Sequence, residues 1–405
     1  MIMQGVNYRT LIYDTLDRIG YSNLRKMHLW FEVIMSFLSI KGRINFLQLA
    51  RYGNSCERRY RDFFEHTFDF LRFNIELTKT RGSGDFAIAF DPSYISKSGK
   101  KTPGLGYFWS GCASKAKWGL ELSGIAAIDL KNHTAFHLEA VQTIMKENSE
   151  DSLSDVYAKT LKDRVAKLRS VSSYLVADAW FSKKPFVDKV LEMEMHLVSR
   201  LRNDAHLSYL YKGEKRQGRG RPKVYDGKVI PKNLDMSHFK QVNEDEKATV
   251  RTAIVYSRAL KRKILLVHVL YKQSGGKETY KLYFSTDLKQ DAMRVLKMYS
   301  SRFQIEFIYR DAKQHTGLNH CQARSQWKLN FHFNMALSAT NIAKVKHWFE
   351  LPREQRAEFS MADVKTINHN QLILQAFFDT FAINPNTKKN KERALKLLCL
   401  GTKAA

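Results

Sequence analysis

The spacing of apolar residues changes along the chain and predicts regions of different secondary structure. From residue 1 to about 80 the spacing is helical, as in Leu29, Trp30, Val33 and Ile34, because residues so placed share one face of a helix. From Asp85 onward, short apolar runs predict buried strands at 86–90, 173–177 and 195–200 and β-rich segments at 119–129 and 133–141. Helical stretches separate several of these strands, a rhythm that indicates an α/β core.

The spacing of apolar residues changes again in residues 203–285. A glycine-rich, basic stretch at 212–228 lacks apolar periodicity, and strands are predicted at 248–256, 263–271 and 279–284. We interpret this region as an all-β insertion. Helices are predicted again at 291–314, 331–349 and 371–380, ahead of a charged tail.

The net charge of the chain indicates which class of molecule it binds. The chain has 67 Lys and Arg against 40 Asp and Glu, a formal net charge of +27 and a pI near 9.8. Such an excess disfavours a compact state unless a polyanion balances it. Nucleic acid is the usual polyanion, because lysine and arginine contacts to phosphate release condensed counterions. A basic cytosolic enzyme or a ribosome-associated protein is the alternative.

Other classes of protein are less compatible with the sequence. Cys56, Cys112, Cys321 and Cys399 lie far apart, so we expect no structural zinc site and a reducing compartment. We expect no signal peptide, and the apolar stretch at 29–40 is short enough to be a buried helix. No phosphate-binding glycine-rich loop is present, so ATP dependence is not expected.

A candidate DNA reader lies near the N-terminus. Gly53 and Asn54 interrupt two helical stretches, and the second of these carries Arg58, Arg59 and Arg61. A helix, a glycine-containing turn and a basic helix are compatible with a helix-turn-helix motif. An ordinary helical hairpin with solvated arginines would have the same sequence pattern, and the two interpretations remain open.

Two aspartates follow predicted buried strands. Asp91 comes after the run 86–90, and Asp178 comes after 173–177. Carboxylates at the ends of such strands project into the crevice where α/β sheets place active sites. For either residue alone, a helix cap or a turn residue is the more common explanation.

A third acidic residue lies on a predicted helix with a distinctive set of neighbours. Tyr299, Arg302, Glu306 and Lys313 are spaced i, i+3, i+7 and i+14, which places them on one helical face within roughly 60°. A solvated charged face could look similar, although it would not require Tyr and Glu in this register.

The pattern Tyr-x2-Arg-x3-Glu-x6-Lys, complete at these four positions, resembles the signature of a group of bacterial insertion-sequence transposases with an Asp-Asp-Glu triad. The resemblance extends to Phe90-Asp91, to the run 176–181 and to the loop Arg219-Gly-Arg-Pro222, and covers roughly residues 85–325. It implies a ribonuclease-H-like catalytic core at 81–202 and 286–345, interrupted by the all-β insertion at 203–285. Flanking regions would be a helical DNA-binding domain at 1–80 and a helical C-terminal region at 346–405.

The resemblance also implies roles for the residues. Asp91, Asp178 and Glu306 would be catalytic and would together hold two Mg²⁺ ions, with Mn²⁺ as a substitute, since hard cations prefer oxygen ligands. Tyr299, Arg302 and Lys313 would contact DNA. Phe303 would stack on a distorted base, with core packing as its preferred alternative.

Two further expectations concern DNA contacts. Arg219 and Arg221 resemble a minor-groove hook, since arginines gain from the negative potential of a narrow groove; a solvated loop that touches phosphates is the alternative. Related enzymes can hold a flipped base with an aromatic residue of the insertion. No Trp occurs between Trp180 and Trp327, so a tryptophan clamp is not expected there.

The function expected from this resemblance is cut-and-paste transposition: cleavage of the ends of an insertion sequence and their joining to target DNA. The protein would be cytoplasmic, bacterial and nucleoid-associated, and a homodimer would bring the two ends together. A domesticated or inactive DNA-binding protein and a related nuclease without strand transfer are the alternatives.

Overall fold

The computed structural model describes residues 8–145, 150–214, 222–272 and 278–403. Its N-terminal part is helical, as the apolar spacing predicts. The helices are α1 (Tyr8–Arg18), α2 (Leu24–Ser39), α3 (Phe46–Tyr52), α4 (Glu57–Phe63) and α5 (Phe70–Arg81). Side chains of Asn23, Asn45 and Asp69 cap α2, α3 and α5 by accepting hydrogen bonds from backbone N–H groups in the first turn, which fixes where these helices begin.

The chain then alternates strands and helices. The elements are β1 (Phe86–Ser96), β2 (Gly106–Ser110), β3 (Lys115–Asp129), β4 (Thr134–Gln142), α6 (Leu153–Lys162), α7 (Val165–Arg169), β5 (Tyr174–Val176), α8 (Lys184–Glu192) and β6 (His196–Leu201). Strand β3 pairs antiparallel with β1, β2 and β4, whereas β5 pairs parallel with β1 and β6. The mixed α/β class predicted from the sequence is therefore present.

The next region consists of strands in its described part. They are β7 (Leu207–Leu210), β8 (Tyr225–Lys228), β9 (Lys240–Glu244), β10 (Ala248–Ser257), β11 (Arg262–Lys272) and β12 (Glu278–Ser285). Strand β12 pairs antiparallel with β6, with Leu282 opposite Leu201. These strands consequently extend the core sheet, which has twelve strands in the described ranges.

Helices complete the chain: α9 (Ala292–Ser301), α10 (Gln304–His315), α11 (Gln326–Lys344), α12 (Met361–Thr380) and α13 (Lys388–Leu398). The prediction of one continuous helix over 291–314 is wrong, because the chain turns at Arg302 and Phe303 between α9 and α10. Neither glycine nor proline marks this break. None of the helices in the described ranges is long and apolar enough to cross a membrane.

Helices cover both faces of the sheet. On β1, Ala87 and Ala89 belong to a core shared with α1–α5 and α9–α12, while Ile88 and Phe90 belong to a second core with α6–α8. This division follows from the alternation of side chains along a strand. The N-terminal helices pack directly on α11 and α12, so the two ends of the chain share one core.

Candidate active site

Asp91 lies within strand β1, which continues past the predicted end at Phe90 as far as Ser96. It is opposite Gly124 of β3 and, by alternation, faces the same side as Ala87 and Ala89, toward α10. The phenol of Tyr309 on α10 donates a hydrogen bond to the Asp91 carbonyl oxygen over 2.7 Å. A Cβ atom at Gly124 would lie 1.5 Å from the Tyr309 hydroxyl, so this close approach of helix and sheet requires glycine.

Asp178 lies just beyond the end of β5, the strand next to β1. Strands β1 and β5 are parallel neighbours with Ala89 opposite Val176, and Asp91 and Asp178 each come two residues later. Neighbouring strands lie about 4.8 Å apart, so this register predicts that the two aspartates lie near each other, and the negative charge of Asp178 does help to raise the pKa of Asp91. One Asp178 carboxylate oxygen accepts a hydrogen bond from the Trp180 N–H over 2.8 Å. Asp178 therefore also caps the short 3-10 helix Ala179–Phe181. A capping role was one of the alternatives that its position in the sequence suggested.

Arg302 connects Asp91 with the third carboxylate. Its guanidinium lies 3.5 Å from the Asp91 carboxylate and 3.1 Å from that of Glu306. The Arg302 and Asp91 side chains are 16% and 20% exposed, whereas Glu306 is 55% exposed. The turn between α9 and α10 directs Arg302 inward, where it is the cation between two acids.

The charges of the other two carboxylates affect Asp91. Burial raises the pKa of Asp91 to about 7, Arg302 opposes this, and the negative charges of Glu306, Asp178 and Glu121 add to it. Burial alone would lower the pKa of Arg302, but Asp91 and Glu306 hold it above its ordinary value. The described residues nevertheless contain no group of three or more His, Cys, Asp or Glu side chains placed to enclose a metal ion.

The other two signature residues border the carboxylates. Burial is the largest influence on the pKa of Tyr299 and of Lys313, and Arg302 and Asp178 also act on that of Tyr299 and Asp91 on that of Lys313. Tyr299 packs against the ring of Tyr283 on β12, with ring centroids 5.0 Å apart. The Lys313 ammonium donates hydrogen bonds to the Ser93 hydroxyl and the Tyr94 carbonyl, both over 2.9 Å. The helix break separates Tyr299 from Glu306 and Lys313, so the predicted single face is interrupted. Arg302 and Glu306 face the aspartates, and Lys313 grips the end of β1.

Phe303 does not pack in the core, so the preferred alternative for this residue is wrong. It is 44% exposed and meets the ring of Phe307 edge-on, with centroids 5.2 Å apart. The guanidinium of Arg310 lies 4.6 Å from the centre of the Phe307 ring. An aromatic and basic surface therefore borders Glu306 on α10.

Sequence reasoning missed a fourth acidic residue. Glu121 on β3 is buried and accepts a hydrogen bond from the phenol of Tyr157 over 2.6 Å. Burial raises the pKa of Glu121, and burial together with Glu121 raises that of Tyr157, to which Asp91 and Asp178 also contribute. A sequence signal existed, because Glu121 is the one charged residue between Lys117 and Asp129.

The candidate DNA reader at the N-terminus has a defined turn. Buried Glu32 of α2 accepts hydrogen bonds from the Tyr60 phenol over 2.6 Å and from the Asn54 N–H, which ties the α3–α4 connection to α2. On α4, Arg58 is 91% exposed and lies 4.0 Å from Asp62, and Arg61 pairs with Glu57, both within the same helix. Arg59 is also exposed. Arg219 and Arg221 lie outside the described residues.

Comparison with known proteins identifies the family of the chain. A family model described as a transposase DDE domain matches residues 101–342, more than half of the 405 residues. The match includes Asp178 and Glu306 and begins ten residues after Asp91. No curated protein matches the chain. The match over most of the sheet and over the signature helices shows that the chain belongs to the family of transposases with a DDE domain.

Proposed function

We propose that this protein cleaves the ends of an insertion sequence and joins them to target DNA, with Asp91, Asp178 and Glu306 as its catalytic carboxylates. Two observations support the proposal: Asp91 and Asp178 each come two residues after the paired Ala89 and Val176 of neighbouring parallel strands, and the Arg302 guanidinium lies between the carboxylates of Asp91 and Glu306. The family implies a ribonuclease-H-like core, and β4–β3–β1–β5–β6 would form it. Strands β7–β12 would be the all-β insertion.

The donor chemistry of the site fits Mg²⁺ or Mn²⁺. Its candidate ligands are carboxylate oxygens, which hard divalent cations prefer, and among the described residues the Asp91 carboxylate has one partner, Arg302 at 3.5 Å. A buried carboxylate with acidic neighbours gains from a cation. When bound, a pair of such ions would activate the attacking oxygen and stabilise the leaving one.

Arg302 would serve both the carboxylates and the DNA. In the structure its guanidinium neutralises Asp91 and Glu306, and its planar donors would suit a bidentate contact to a DNA phosphate beside the scissile bond. Lys313, already bonded to β1, would hold Ser93 and Tyr94 in place and add positive charge near the DNA backbone.

Other parts of the protein would bind DNA away from the reacting bond. Exposed Arg58 and Arg59 would contact transposon-end DNA from α4, with Arg61 beside them, and Arg219 and Arg221 would contact it from the insertion. Tyr299 would support this surface from α9. Since two ends must be brought together, the active form would be a homodimer, and the protein would work in the cytoplasm on the bacterial nucleoid.

The test uses purified protein, Mg²⁺ and labelled DNA that carries the terminal repeats of its own element. Asp178→Asn keeps the cap on the Trp180 N–H and Glu306→Gln changes a half-exposed side chain, so both variants should fold and bind DNA. Cleavage should fall at least about a thousandfold, roughly 4 kcal/mol of barrier, with Glu192→Gln, an exposed residue ending α8, as the matched control.

Cutting at the normal rate by both variants would refute the assignment. Cleaved ends without joined products would favour a nuclease. Tight binding of the ends by wild-type protein without any cutting in Mg²⁺ or Mn²⁺ would favour a domesticated DNA-binding protein.

A further inference from the structure

The hairpin formed by β2 and β3 presents aromatic side chains to solvent. Tyr107, Trp109 and Trp118 are 75%, 64% and 41% exposed. Tyr107 lies opposite Trp118, and Trp109 lies opposite Ala116, so the three aromatic rings share one face of the hairpin. The Tyr107 and Trp118 rings meet with centroids 5.4 Å apart. We call this surface, Tyr107, Trp109 and Trp118, the aromatic hairpin face.

The same segment is basic. Residues 92–120 contain five lysines and no Asp or Glu. Lys100, Lys101, Lys115 and Lys117 are exposed, and none of the ion pairs found within the described ranges involves them. Exposed aromatics among unpaired cations are typical of surfaces that bind single-stranded nucleic acid, where rings stack on bases and cations follow the backbone.

The hairpin lies near the candidate active site. Strand β3 pairs with β1 from Asp129 to Gly119, so β1 runs from Asp91 directly to the base of the hairpin. There the Tyr94 phenol donates a hydrogen bond to the Trp118 carbonyl over 2.6 Å. At the tip, Cys112 is close enough to Lys313 to affect its pKa, as is Asp91, although burial is the main influence and lowers that pKa.

We infer that the aromatic hairpin face stacks on unpaired bases of the DNA next to the bond that is cut. The inference rests on the proposed function and adds to it a binding site for single-stranded DNA outside the carboxylate cluster. Stacking requires the flat face of a base, which a duplex hides between neighbouring base pairs. A second copy of this chain is a less suitable occupant, because its charge of +27 would place like charges against the exposed lysines.

The test measures binding without cleavage. In EDTA, fluorescence anisotropy gives the Kd of a labelled oligothymidine and of a labelled, fully paired duplex of mixed sequence. The Trp109→Ala/Trp118→Ala variant should bind oligothymidine about tenfold to a hundredfold more weakly and the duplex within about twofold of wild type. Trp327→Ala is the matched control, since Trp327 is 61% exposed and lies on α11.

Two further variants separate stacking from charge. Trp109→Phe/Trp118→Phe keeps aromatic rings and should recover most of the affinity. Lys115→Gln/Lys117→Gln should reduce the salt dependence of log Kd by about one, whereas the alanine variant should keep the wild-type slope. Thermal unfolding should be unchanged in all of them, because the altered side chains are exposed.

Unchanged oligothymidine binding by the alanine variant, or an equal loss for duplex, would overturn the inference. So would a change from dimer to monomer with DNA affinity intact, which would make the face an interface between copies. Failure of this test leaves carboxylate-dependent cleavage standing. Conversely, normal cleavage by Asp178→Asn would refute the proposed function while oligothymidine binding could remain.

Discussion

Strand β4 and the site around Asp91 both place polar groups beneath helices. The polar groups of β4 are hydrogen-bonded by side chains of α11, whereas the Asp91 carboxylate is only partly neutralised. Along β4, the Asn334 side chain pairs with both the N–H and the carbonyl of Ala140, at 2.8 and 2.9 Å. The Asn341 side chain pairs in the same way with the N–H and the carbonyl of His137, at 2.9 and 2.7 Å. Around Asp91, by contrast, a half-buried carboxylate meets one guanidinium at 3.5 Å.

The match between α11 and β4 has a simple geometric basis. Asn334 and Asn341 are seven residues apart on a helix, or about 10.5 Å, and Ala140 and His137 are three residues apart on a strand, or about 10 Å. The register of β4 shifts between His137 and Glu139, and such a bulge lets residues an odd number apart present their backbone groups to the same edge. Two asparagines on one helical face can therefore cover the free edge of β4. An edge left bare would expose unpaired N–H and C=O groups.

This difference in how polar groups are paired distinguishes β4, a structural region, from the site around Asp91, a functional one. Buried polar groups are normally fully hydrogen-bonded, and the asparagines of α11 follow that rule. A half-buried carboxylate that has acidic neighbours and is only partly neutralised costs stability, and such groups occur where chemistry needs them. The two regions should therefore respond to mutation in opposite ways, through stability along β4 and through activity around Asp91.

The largest effect should come from Asn334→Ala combined with Asn341→Ala. The double variant leaves two buried N–H and two buried carbonyl groups of β4 without partners, so the free energy of unfolding should fall by at least about 4 kcal/mol. Urea denaturation measures it. Asn386→Ala, at an exposed loop position, should change it by less than about 0.5 kcal/mol. A similar small change in the double variant would show that the asparagines are dispensable.

Arg302→Ala should reduce cleavage about a hundredfold, close to 3 kcal/mol, while general DNA binding falls by less than about threefold. The guanidinium contacts Asp91 and Glu306, so its loss affects the reacting centre, whereas many other cations bind DNA. Single-turnover cleavage and filter binding on the same DNA give the two values. Equal losses in both would make Arg302 an ordinary phosphate contact.

Asp91→Asn should remove most of the pH dependence that Asp91 gives to the free energy of unfolding. The folded pKa of Asp91 is about 7 against an ordinary 3.8, so between these values the unfolded chain loses the proton first. In metal-free buffer, wild-type stability should fall as pH rises from about 4 to 7, and less so in the variant. Added Mg²⁺ at pH 8 should stabilise wild type alone. Parallel pH curves would contradict the buried, ionisable Asp91.

Tyr309→Phe should have the smallest effect, about 1 kcal/mol of unfolding free energy. It removes one buried hydrogen bond, from the Tyr309 phenol to the Asp91 carbonyl. Tyr94→Phe is the matched control, since its phenol also bonds a carbonyl but in an exposed setting, and should lose less than about 0.5 kcal/mol. Equal losses would show that the contact between α10 and β1 contributes no more than a surface bond.

The sequence predicted those features that depend on local patterns. Strands β5, β10, β11 and β12 lie within about two residues of their predicted ends, because apolar runs and turn residues mark them. The continuity of the sheet through β6 and β12 was not predictable, since the paired residues Leu201 and Leu282 are separated by 80 residues of the chain. Long-range pairing of this kind leaves no local signal.

Two local predictions also failed for physical reasons. The run Asp91-Pro92 suggested a strand end, but β5 pairs with only Ile88 and Ala89 of β1, so the proline lies where that side of β1 has no partner. The break at Arg302 carries no glycine or proline, and the charge pairs with Asp91 and Glu306 accompany it. Tertiary contacts outweighed helix propensity at this point.

The central claim is that Asp91, Asp178 and Glu306 bind the same divalent ions, and hydroxyl-radical mapping tests it directly. Fe²⁺ bound in place of Mg²⁺, with ascorbate and peroxide, cuts the polypeptide backbone close to the ion, and mass spectrometry locates the cuts. We expect cuts near residues 91, 178 and 306 together. Excess Mg²⁺ should suppress all three cuts, and the Asp178→Asn variant should show none of them. Cuts confined to one of these segments, or placed elsewhere in the chain, would contradict the central claim.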